Sequence, residues 1–219
     1  MKILHIVADG RPGGGTTNVL ALCEDLIDRG HDVHLVSQSS SYALERATQL
    51  GATTTGLDFF ARRLSWRVVR SLGAAVRDFA PSIVHAHGAR AGLSLSLTRR
   101  SFGTPRIYTV RGYHFLRKAL APRVMAAIVE AWVSRRSDAT VHVCSYDADL
   151  ARSWRLLGGR GSHVIYNGIR PEDIPTAQDP DPRHVVFLGR LHEQKDPLLV
   201  VDVASQLADR GFRFTLIGG

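Results

Sequence analysis

The chain has 219 residues, 44% of them hydrophobic and 22% charged, which is typical of a soluble globular protein with a sizeable core. The formal net charge is +8, and arginine supplies most of the excess because Lys2, Lys118 and Lys195 are the only lysines. A positive field suits nucleic acid, anionic membranes or phosphorylated small molecules. The basic runs are short and few aromatic residues stand among the arginines, so we expect no nucleic-acid partner.

The sequence also limits where the protein acts. No segment approaches the length of a membrane span, and the apolar run after Lys2 is too short for the core of a signal peptide. Cys23 and Cys144 belong to no metal-binding or redox spacing, so we expect both to be buried free thiols. These features predict a cytoplasmic protein.

Short β-branched segments alternate with longer amphipathic segments through residue 166. The predicted strands are Ile3–Ala8, Asp32–Ser37, Thr53–Leu57, Ile83–Ala86, Arg106–Val110, Ala139–Val143 and His163–Tyr166. The predicted helices are Thr16–Arg29, Tyr42–Leu50, Leu64–Phe79, Arg90–Ser101, Arg117–Arg136 and Tyr146–Leu156. Helices between successive strands imply right-handed crossovers and a parallel sheet. Residues 1–169 are therefore predicted to form one Rossmann-like, doubly wound α/β domain.

The alternation of predicted strands and helices stops at residues 170–183, RPEDIPTAQDPDPR. Four prolines and four acidic residues with little apolar spacing predict a linker. Residues 184–219 then read as a strand, a helix over Pro197–Arg210 and a strand over Phe212–Ile217. A single βαβ unit cannot bury both faces of a sheet, so we expect a second domain that the chain only begins.

Residues 11–18, RPGGGTTN, follow the first predicted strand. Gly13, Gly14 and Gly15 would let a ligand approach the backbone, and the helix that follows would point free N–H groups at an anion. The dinucleotide fingerprint requires a glycine three residues after Gly15, where Asn18 stands, so NAD is disfavoured. A phosphate-binding loop and a tight turn without a ligand both remain open.

Polar residues and glycines follow several strands at their carboxyl ends, where open α/β sheets bind ligands. They are His87 and Gly88, Arg111 to His114, Ser145, Asn167 and Gly168, and Gly189 and Arg190. This edge offers no pair of carboxylates for a hydrolase, and the chain has no GxSxG elbow and no Walker lysine. We also expect no metal site, on the interpretation that His85 and His87 point to opposite faces of their strand. The edge suits a phosphate-bearing substrate.

Five segments carry more specific motifs. ADGRPGGGTTNVLALCEDLIDRGHDVHLVS has a glycine pair before the first helix and GHDV at the second strand. PSIVHAHGARAG resembles a D-x-V-H-x-H strand end, and YTVRGYHF resembles T-x-H-G-Y-H-F. VIYNGI is similar to V-I-x-N-G-I/V-D, and VVFLGRLHEQKDPLLVVDVA is similar to G-R-L-x-x-x-K-G-x-x-x-L-I-x-A-x. Together they resemble the retaining GT-B glycosyltransferases of family 4 over essentially the whole chain.

The resemblance implies two Rossmann-like domains, the first mainly for the acceptor and the second for a UDP- or GDP-linked sugar. It implies sugar transfer with retention in glycan, polysaccharide or glycolipid synthesis, with no cofactor and no metal. Arg190 and Lys195 match the residues that hold the donor's diphosphate, whose charge grows as the glycosidic bond breaks. The residues placed at the reacting groups are His87, Arg111 and His114. The substrate loops are Gly13, Gly14, Gly15, Asn167 and Gly168.

Two departures from the family pattern keep alternatives open. Arg111 stands where the family has a histidine, and an arginine cannot act as a general base, although it can bind a phosphate or carboxylate. The family's paired-glutamate motif has no counterpart in this chain, which we therefore expect to be truncated and inactive by itself. A non-catalytic binding module of the same fold is one alternative, and a nucleotide-sugar epimerase is another.

Residues 61–79 combine an apolar stripe with arginines. Leu64, Val68, Leu72, Val76 and Phe79 recur at helical spacing. The arginines on the remaining surface are Arg62, Arg63, Arg67, Arg70 and Arg77. Such a helix can lie on an anionic bilayer. The resemblance implies this attachment for family members that act on lipid-linked acceptors, and here it would be at the inner face of the membrane. Alternatively, the stripe packs on the sheet and the arginines face water.

Overall fold

The computed structural model describes residues 1–61, 65–99, 103–113, 115, 119–158, 161–169 and 181–218. The chain divides into two compact units, Met1–Gly168 and Ile169–Gly219. Residues 170–180, most of the predicted linker, lie outside the described residues.

Seven parallel strands form the sheet of the first unit. They are β1 (Lys2–Val7), β2 (Asp32–Gln38), β3 (Thr53–Leu57), β4 (Ile83–His87), β5 (Arg106–Val110), β6 (Ala139–His142) and β7 (Ser162–Val164). Their order is β3-β2-β1-β4-β5-β6-β7, and every neighbouring pair is parallel. The strand order reverses between β1 and β4, as in doubly wound folds, and the predicted fold class is confirmed.

Helices connect these strands. They are α1 (Gly14–Asp28), α2 (Tyr42–Gln49), α3 (Trp66–Phe79), α4 (Ala89–Leu97), α5 (Leu120–Arg136) and α6 (Ser145–Ser153). Each corresponds to a predicted helix, with ends that differ by a few residues. The predicted limits at Leu64, Ser101 and Arg117 fall outside the described residues.

Alternation along β1 separates two core layers. Leu4 packs in a cluster with Leu72 of α3, whereas Val7 packs in a second cluster with Val19 of α1. Because successive side chains of a strand point to opposite faces, His5 lies with Val7 on the α1 face. A buried histidine in the middle of β1 is therefore part of the layer that α1 covers.

The end of α1 shows how local sequence sets an element boundary. Gly30 has φ of 79° and donates its N–H to the Ile27 carbonyl at 2.8 Å, while the His31 N–H reaches the Leu26 carbonyl at 3.0 Å. These two bonds form a Schellman motif, in which a left-handed residue that glycine adopts without strain ends the helix. The predicted stop at Gly30 is confirmed.

The end of α4 comes earlier than its sequence pattern predicts. The Thr98 N–H and Oγ1 both donate to the Leu95 carbonyl, and the Arg106 guanidinium donates to the same carbonyl at 2.9 Å. Arg106 also bonds Thr98 Oγ1 and the Arg99 carbonyl. A buried arginine from the next strand thus satisfies carbonyls at the helix end, which apolar periodicity does not reveal.

The apolar stripe of α3 faces the core. Val68, Leu72 and Val76 are buried in the cluster beneath the sheet. Arg67, Arg70 and Arg77 are exposed. Arg62 and Arg63 lie outside the described residues. The alternative in which the stripe packs on the sheet is the one observed for Trp66–Phe79, so the apolar face of this helix is not available to a bilayer.

Two further expectations concern cysteines and membrane spans. Cys23 is buried and Cys144 is half-buried, and both are free thiols. Burial raises the pKa of the Cys23 thiol to about 12, so this group is unreactive at neutral pH. Among the described residues, no helix has both the length and the apolar character that crossing a bilayer requires.

The second unit contains one βαβ element. β8 (His184–Leu188) and β9 (Arg213–Ile217) pair in parallel, and α7 (Pro197–Gln206) joins them. The helix is four residues shorter than predicted, and a 3₁₀ turn follows at Ala208–Arg210. No described residue of α7 is buried, because a two-stranded sheet offers little surface to cover it.

A glycine inside α4 provides a test of the packing between α4 and the sheet. A Cβ built on Gly92 would lie 2.8 Å from both the Tyr108 ring and Val133 Cγ1. We expect Gly92→Ala to destabilise the chain by about 1–3 kcal/mol through overpacking. Gly73→Ala in α3 is the control, since a Cβ there would first meet Arg77 Nη1 at 3.6 Å. That variant should be neutral or stabilising by up to about 1 kcal/mol. Urea unfolding should therefore show a loss of stability in Gly92→Ala and no loss in Gly73→Ala.

Candidate functional site

The carboxyl halves of β1, β4 and β5 lie side by side in the sheet, and polar side chains meet there on the α1 face. His5 is the register partner of His85, and His87 is the register partner of Thr109. Arg111 comes two residues after Thr109, so it continues on the same face. Three neighbouring strands thus contribute to one polar cluster under the start of α1.

The predicted orientation of two histidines is wrong. His85 and His87 stand two residues apart on β4, and a strand repeats every two residues, so they share a face. Their ring centroids are 3.9 Å apart, and the His5 ring centroid lies 5.4 Å from His85 and 5.3 Å from His87. The sequence alone contained this information, because the H-x-H spacing on a strand places both rings together.

A hydrogen-bonded chain runs from α1 into the sheet. Arg111 Nη2 donates to Asn18 Oδ1 at 2.7 Å and to His87 Nδ1 at 3.3 Å. A guanidinium only donates, so His87 carries its ring proton on Nε2, which donates to His5 Nδ1 at 3.1 Å. His5 in turn carries its proton on Nε2, which is buried without a partner. Both nitrogens of His87 are therefore engaged inside the protein.

Burial keeps this cluster uncharged apart from the arginine. Desolvation lowers the pKa of His5 to about 4. Desolvation, with smaller contributions from His5 and Arg111, lowers the pKa of His85 to about 3. The pKa of His87 is also well below its ordinary value, mainly because the ring is fully buried. At neutral pH the three imidazoles are neutral, and the Arg111 guanidinium is the cation beside them.

The glycine loop lies against Arg111. A Cβ built on Gly15 would lie 3.7 Å from Arg111 Cδ, whereas Cβ atoms on Gly13 and Gly14 would meet nothing within 4 Å. Neither Gly13 nor Gly14 has a left-handed φ. Packing and backbone conformation therefore do not require glycine at residues 13 and 14, but close approach of a ligand to the backbone would.

The start of α1 is suited to an anion. Its N-cap is Gly13, which has no side chain to accept from the first turn, and that turn contains no acidic residue. The first N–H groups of a helix have no intrahelical acceptor and carry the positive end of the helix dipole. The loop thus presents hydrogen-bond donors next to the Arg111 side chain.

The three histidines also have the spacing of a metal site. One nitrogen from each of His5, His85 and His87 lies within 4.8 Å of the others. A cation there would have to displace the hydrogen bond between His87 and His5, and it would lie beside the positive charge of Arg111. If His87 bound the metal through Nε2, its Nδ1 would carry the proton and could no longer accept from Arg111. The arrangement therefore fits a hydrogen-bonded chain better than a ligand set.

The structure places the remaining predicted residues of the first unit elsewhere. Asn167 and Gly168 are exposed beyond β7, four strand spacings from β1, or about 19 Å across the sheet. His114 lies outside the described residues. Of the predicted residues in this unit, the structure brings together the glycine loop, His87 and Arg111.

The two cations of the second unit share one loop. Arg190 and Lys195 are both exposed after β8. Two short bonds shape the loop, from the His192 N–H to the Arg190 carbonyl and from the Lys195 N–H to the His192 carbonyl, each 2.8 Å. A Cβ built on Gly189 would lie 3.8 Å from Lys195 Cγ, so the lysine stem passes over this glycine. Both cations thus stand near the start of α7.

Three members of the cluster are not among the predicted site residues. Asn18, which breaks the dinucleotide fingerprint, lies one turn into α1 and orients Arg111. His5 interrupts an apolar strand, and His85 bonds Thr109 Oγ1 at 2.7 Å. A polar residue within each of two adjacent buried strands was the available signal for His5 and His85.

Comparisons with known proteins agree with this fold. The family described as "Glycosyl transferase 4-like domain" matches residues 13–168. No curated protein matches the sequence significantly. HepE from Anabaena, in complex with UDP and glucose, is 16% identical with a TM-score of 0.71 over 99% of this chain and 60% of that chain. HepE has also been solved with UDP-glucose.

Other solved structures share the same architecture. Sucrose-phosphate synthase from Thermosynechococcus elongatus is 13% identical with a TM-score of 0.69, over 99% of this chain and 70% of that chain. MurG from Acinetobacter baumannii is 10% identical with a TM-score of 0.55, over 100% of this chain and 67% of that chain. At such identities the likeness establishes the fold, and the chain spans about two thirds of each structure.

Proposed function

Because the chain belongs to the glycosyl transferase 4-like domain family, we propose that it acts in the transfer of a sugar from a nucleotide-sugar donor to an acceptor. The observation that carries this proposal is the glycine loop. Gly13 and Gly14 face open space in a conformation that any residue adopts, at a helix start that favours anions. A donor or acceptor that contacts the loop backbone accounts for glycine there.

In more detail, we propose that the transfer retains the anomeric configuration and that the donor is a UDP- or GDP-linked sugar. The structures of HepE with UDP and with UDP-glucose support a nucleotide-sugar donor for this fold. In this proposal, the second unit is the beginning of the donor domain, and Arg190 and Lys195 bind the diphosphate. Neither a metal nor another cofactor takes part, since the two cations stabilise the leaving group.

The roles of the first unit follow from its geometry. Arg111 borders the glycine loop, and His87 stands behind it with both nitrogens bound to protein. We therefore assign His87 a positioning role, in which it holds the Arg111 side chain rather than touching the substrate. His114, Asn167 and Gly168 stay predicted substrate residues.

A substitution in the glycine loop tests the proposal in a protein that contains this chain with a complete second domain. We expect Gly14→Val to leave the free energy of unfolding within about 0.5 kcal/mol, because its side chain enters open space. The same change should weaken binding of UDP-glucose or a GDP-sugar by about tenfold or more, since it blocks the backbone. Calorimetric titration and a transfer assay measure these effects.

Ala21→Val, which enlarges an exposed side chain of α1 beyond its first turn, is the control and should leave binding unchanged. Unaltered binding and turnover in Gly14→Val would contradict the assignment of the loop. A complete protein that binds nucleotide sugars without transferring them would favour a non-catalytic binding module, and inversion of the sugar without an acceptor would favour an epimerase. The 219-residue chain alone is expected to show no transfer.

We also propose that the protein is cytoplasmic and contacts an anionic membrane peripherally. The apolar side of α3 is buried, so contact through this helix rests on Arg67, Arg70 and Arg77, each contributing about 1 kcal/mol near an anionic surface. We expect co-sedimentation with anionic vesicles that high salt abolishes, and none with neutral vesicles. Arg67→Gln with Arg70→Gln should weaken it, whereas Arg135→Gln with Arg136→Gln should not. Equal pelleting with both vesicle types would contradict the proposal.

A further inference from the structure

A half-buried arginine at the carboxyl edge of the sheet has no anionic partner in the described part of the chain. The hydrogen bonds of Arg111 go to two neutral groups, Asn18 Oδ1 and His87 Nδ1. Its Nε is buried without a partner. Asp9, the acid that precedes the glycine loop, is paired with Arg11 at 2.8 Å. Arg111 therefore carries a charge that the described residues leave uncompensated.

A second buried arginine shows what a structural guanidinium looks like in this fold. Arg106 donates to the Leu95 carbonyl, to Thr98 Oγ1 and to the Arg99 carbonyl, so oxygen atoms surround its fork. It ties the end of α4 to β5. Arg111 closes no helix and joins no backbone carbonyl among the described residues, so a purely structural role does not explain it.

The surroundings of Arg111 make the missing negative charge more costly. The guanidinium lies beside Gly15 in the first turn of α1, where the helix dipole is positive. Burial lowers the pKa of Arg111, and the neighbouring imidazoles of His85 and His87 are neutral. A cation desolvated at a positive helix end is unfavourable unless an anion joins it.

We propose that Arg111 and the first turn of α1 bind an anionic oxygen group of a substrate, either a phosphate or a carboxylate. Asn18 and His87 orient the guanidinium, and the neutral histidines behind it leave Arg111 as the attracting charge. Assigning the anion to a substrate rests on the proposed sugar transfer, whereas the anion site itself does not. The group belongs either to the diphosphate of the donor or to an acidic acceptor.

The first experiment measures inorganic phosphate binding to the 219-residue chain. Thermal unfolding is followed in increasing phosphate at constant ionic strength and pH, with chloride as the balancing anion. We expect a saturable rise in the melting temperature, because a ligand that binds only the folded state stabilises it. Arg111→Gln should raise the phosphate dissociation constant by about 10- to 100-fold, the usual effect of losing a charge-assisted hydrogen bond.

The stabilities of two variants distinguish an anion-binding arginine from a structural one. Without phosphate, Arg111→Gln should be at least as stable as the parent, because it removes an uncompensated charge. Asn18→Asp should raise stability and abolish the phosphate response, because its carboxylate would occupy the position 2.7 Å from Arg111 Nη2. This isosteric variant keeps the fold testable if Arg111→Gln unfolds. Arg46→Gln, an exposed change in α2, is the control and should behave like the parent.

The source of the anion is resolved by titrating UDP, glucose 6-phosphate, glucuronate and glucose into the parent and into Arg111→Gln. Loss of UDP affinity alone identifies the donor's diphosphate, and loss of affinity for the two acidic sugars alone identifies an acidic acceptor. An equal phosphate response in the parent, Arg111→Gln and Asn18→Asp would overturn the proposal. The complete protein could instead transfer no sugar while the phosphate response is still lost in Arg111→Gln. That result would contradict the proposed function but support the anion site.

Discussion

Lowering the pH from 7.5 to 5.5 is expected to reduce the free energy of unfolding by about 3 kcal/mol through His5 and His85, and His87 adds to this loss. Burial lowers the pKa of His5 to about 4 and that of His85 to about 3, and it places that of His87 well below the ordinary value. In the unfolded chain each histidine titrates near 6.5.

The sign of the effect follows from which state takes up protons first. Above about pH 6.5 both states hold neutral imidazoles, and the stability is fully present. As the pH falls below that value, the unfolded chain binds protons and the folded chain does not, so stability is lost by about 1.4 kcal/mol per unit for each histidine. The loss from His5 ends near pH 4 and that from His85 near pH 3, where the folded state also titrates.

Urea unfolding at closely spaced pH values measures this slope. His5→Asn should reduce the loss between pH 7.5 and 5.5 by about 1.3 kcal/mol, because the amide oxygen can still accept from His87 Nε2 but does not titrate. His163→Asn, on the exposed strand β7, is the control and should keep the parent slope. If the stability between pH 7.5 and 5.5 were constant, or His5→Asn had the parent slope, the neutral buried cluster would be contradicted.

The fold was predictable where each segment specifies its own structure. All seven strands of the first sheet were found from β-branched runs, and Gly30 marks the end of α1 because only local geometry is involved. The end of α4 was not predictable in this way. Arg106, from the next strand, bonds the Leu95 and Arg99 carbonyls, and such a tertiary contact is invisible to periodicity.

The candidate site was likewise predictable only in part. Strand ends in a parallel sheet share one edge, so the sequence alone predicts that His87 and Arg111 lie near the glycine loop. The order of the strands in the sheet cannot be read from the sequence. That order puts Asn167 after the edge strand β7, away from β1. The role of Asn18 depends on how α1 is rotated over the sheet, a property that packing sets and a motif does not encode.

Lys195→Ala, in a protein that completes the second domain, is expected to lower kcat/KM by roughly 10- to 1000-fold. The lysine is exposed, and its stem passes over Gly189, the residue that precedes Arg190. When the glycosidic bond breaks, negative charge builds on the diphosphate, and a cation fixed nearby stabilises that state more than the intact donor. The loss should therefore appear mainly in kcat.

Matched variants separate this role from a general effect of charge. Lys195→Arg keeps the positive charge and should recover part of the rate, whereas Arg213→Ala removes an exposed cation of the same unit and should leave kinetics unchanged. Steady-state kinetics with the preferred nucleotide sugar give kcat and KM separately. Rates within twofold of the parent for Lys195→Ala would remove this residue from the mechanism. A rise in KM without a fall in kcat would instead show that Lys195 binds the intact donor and the transition state equally.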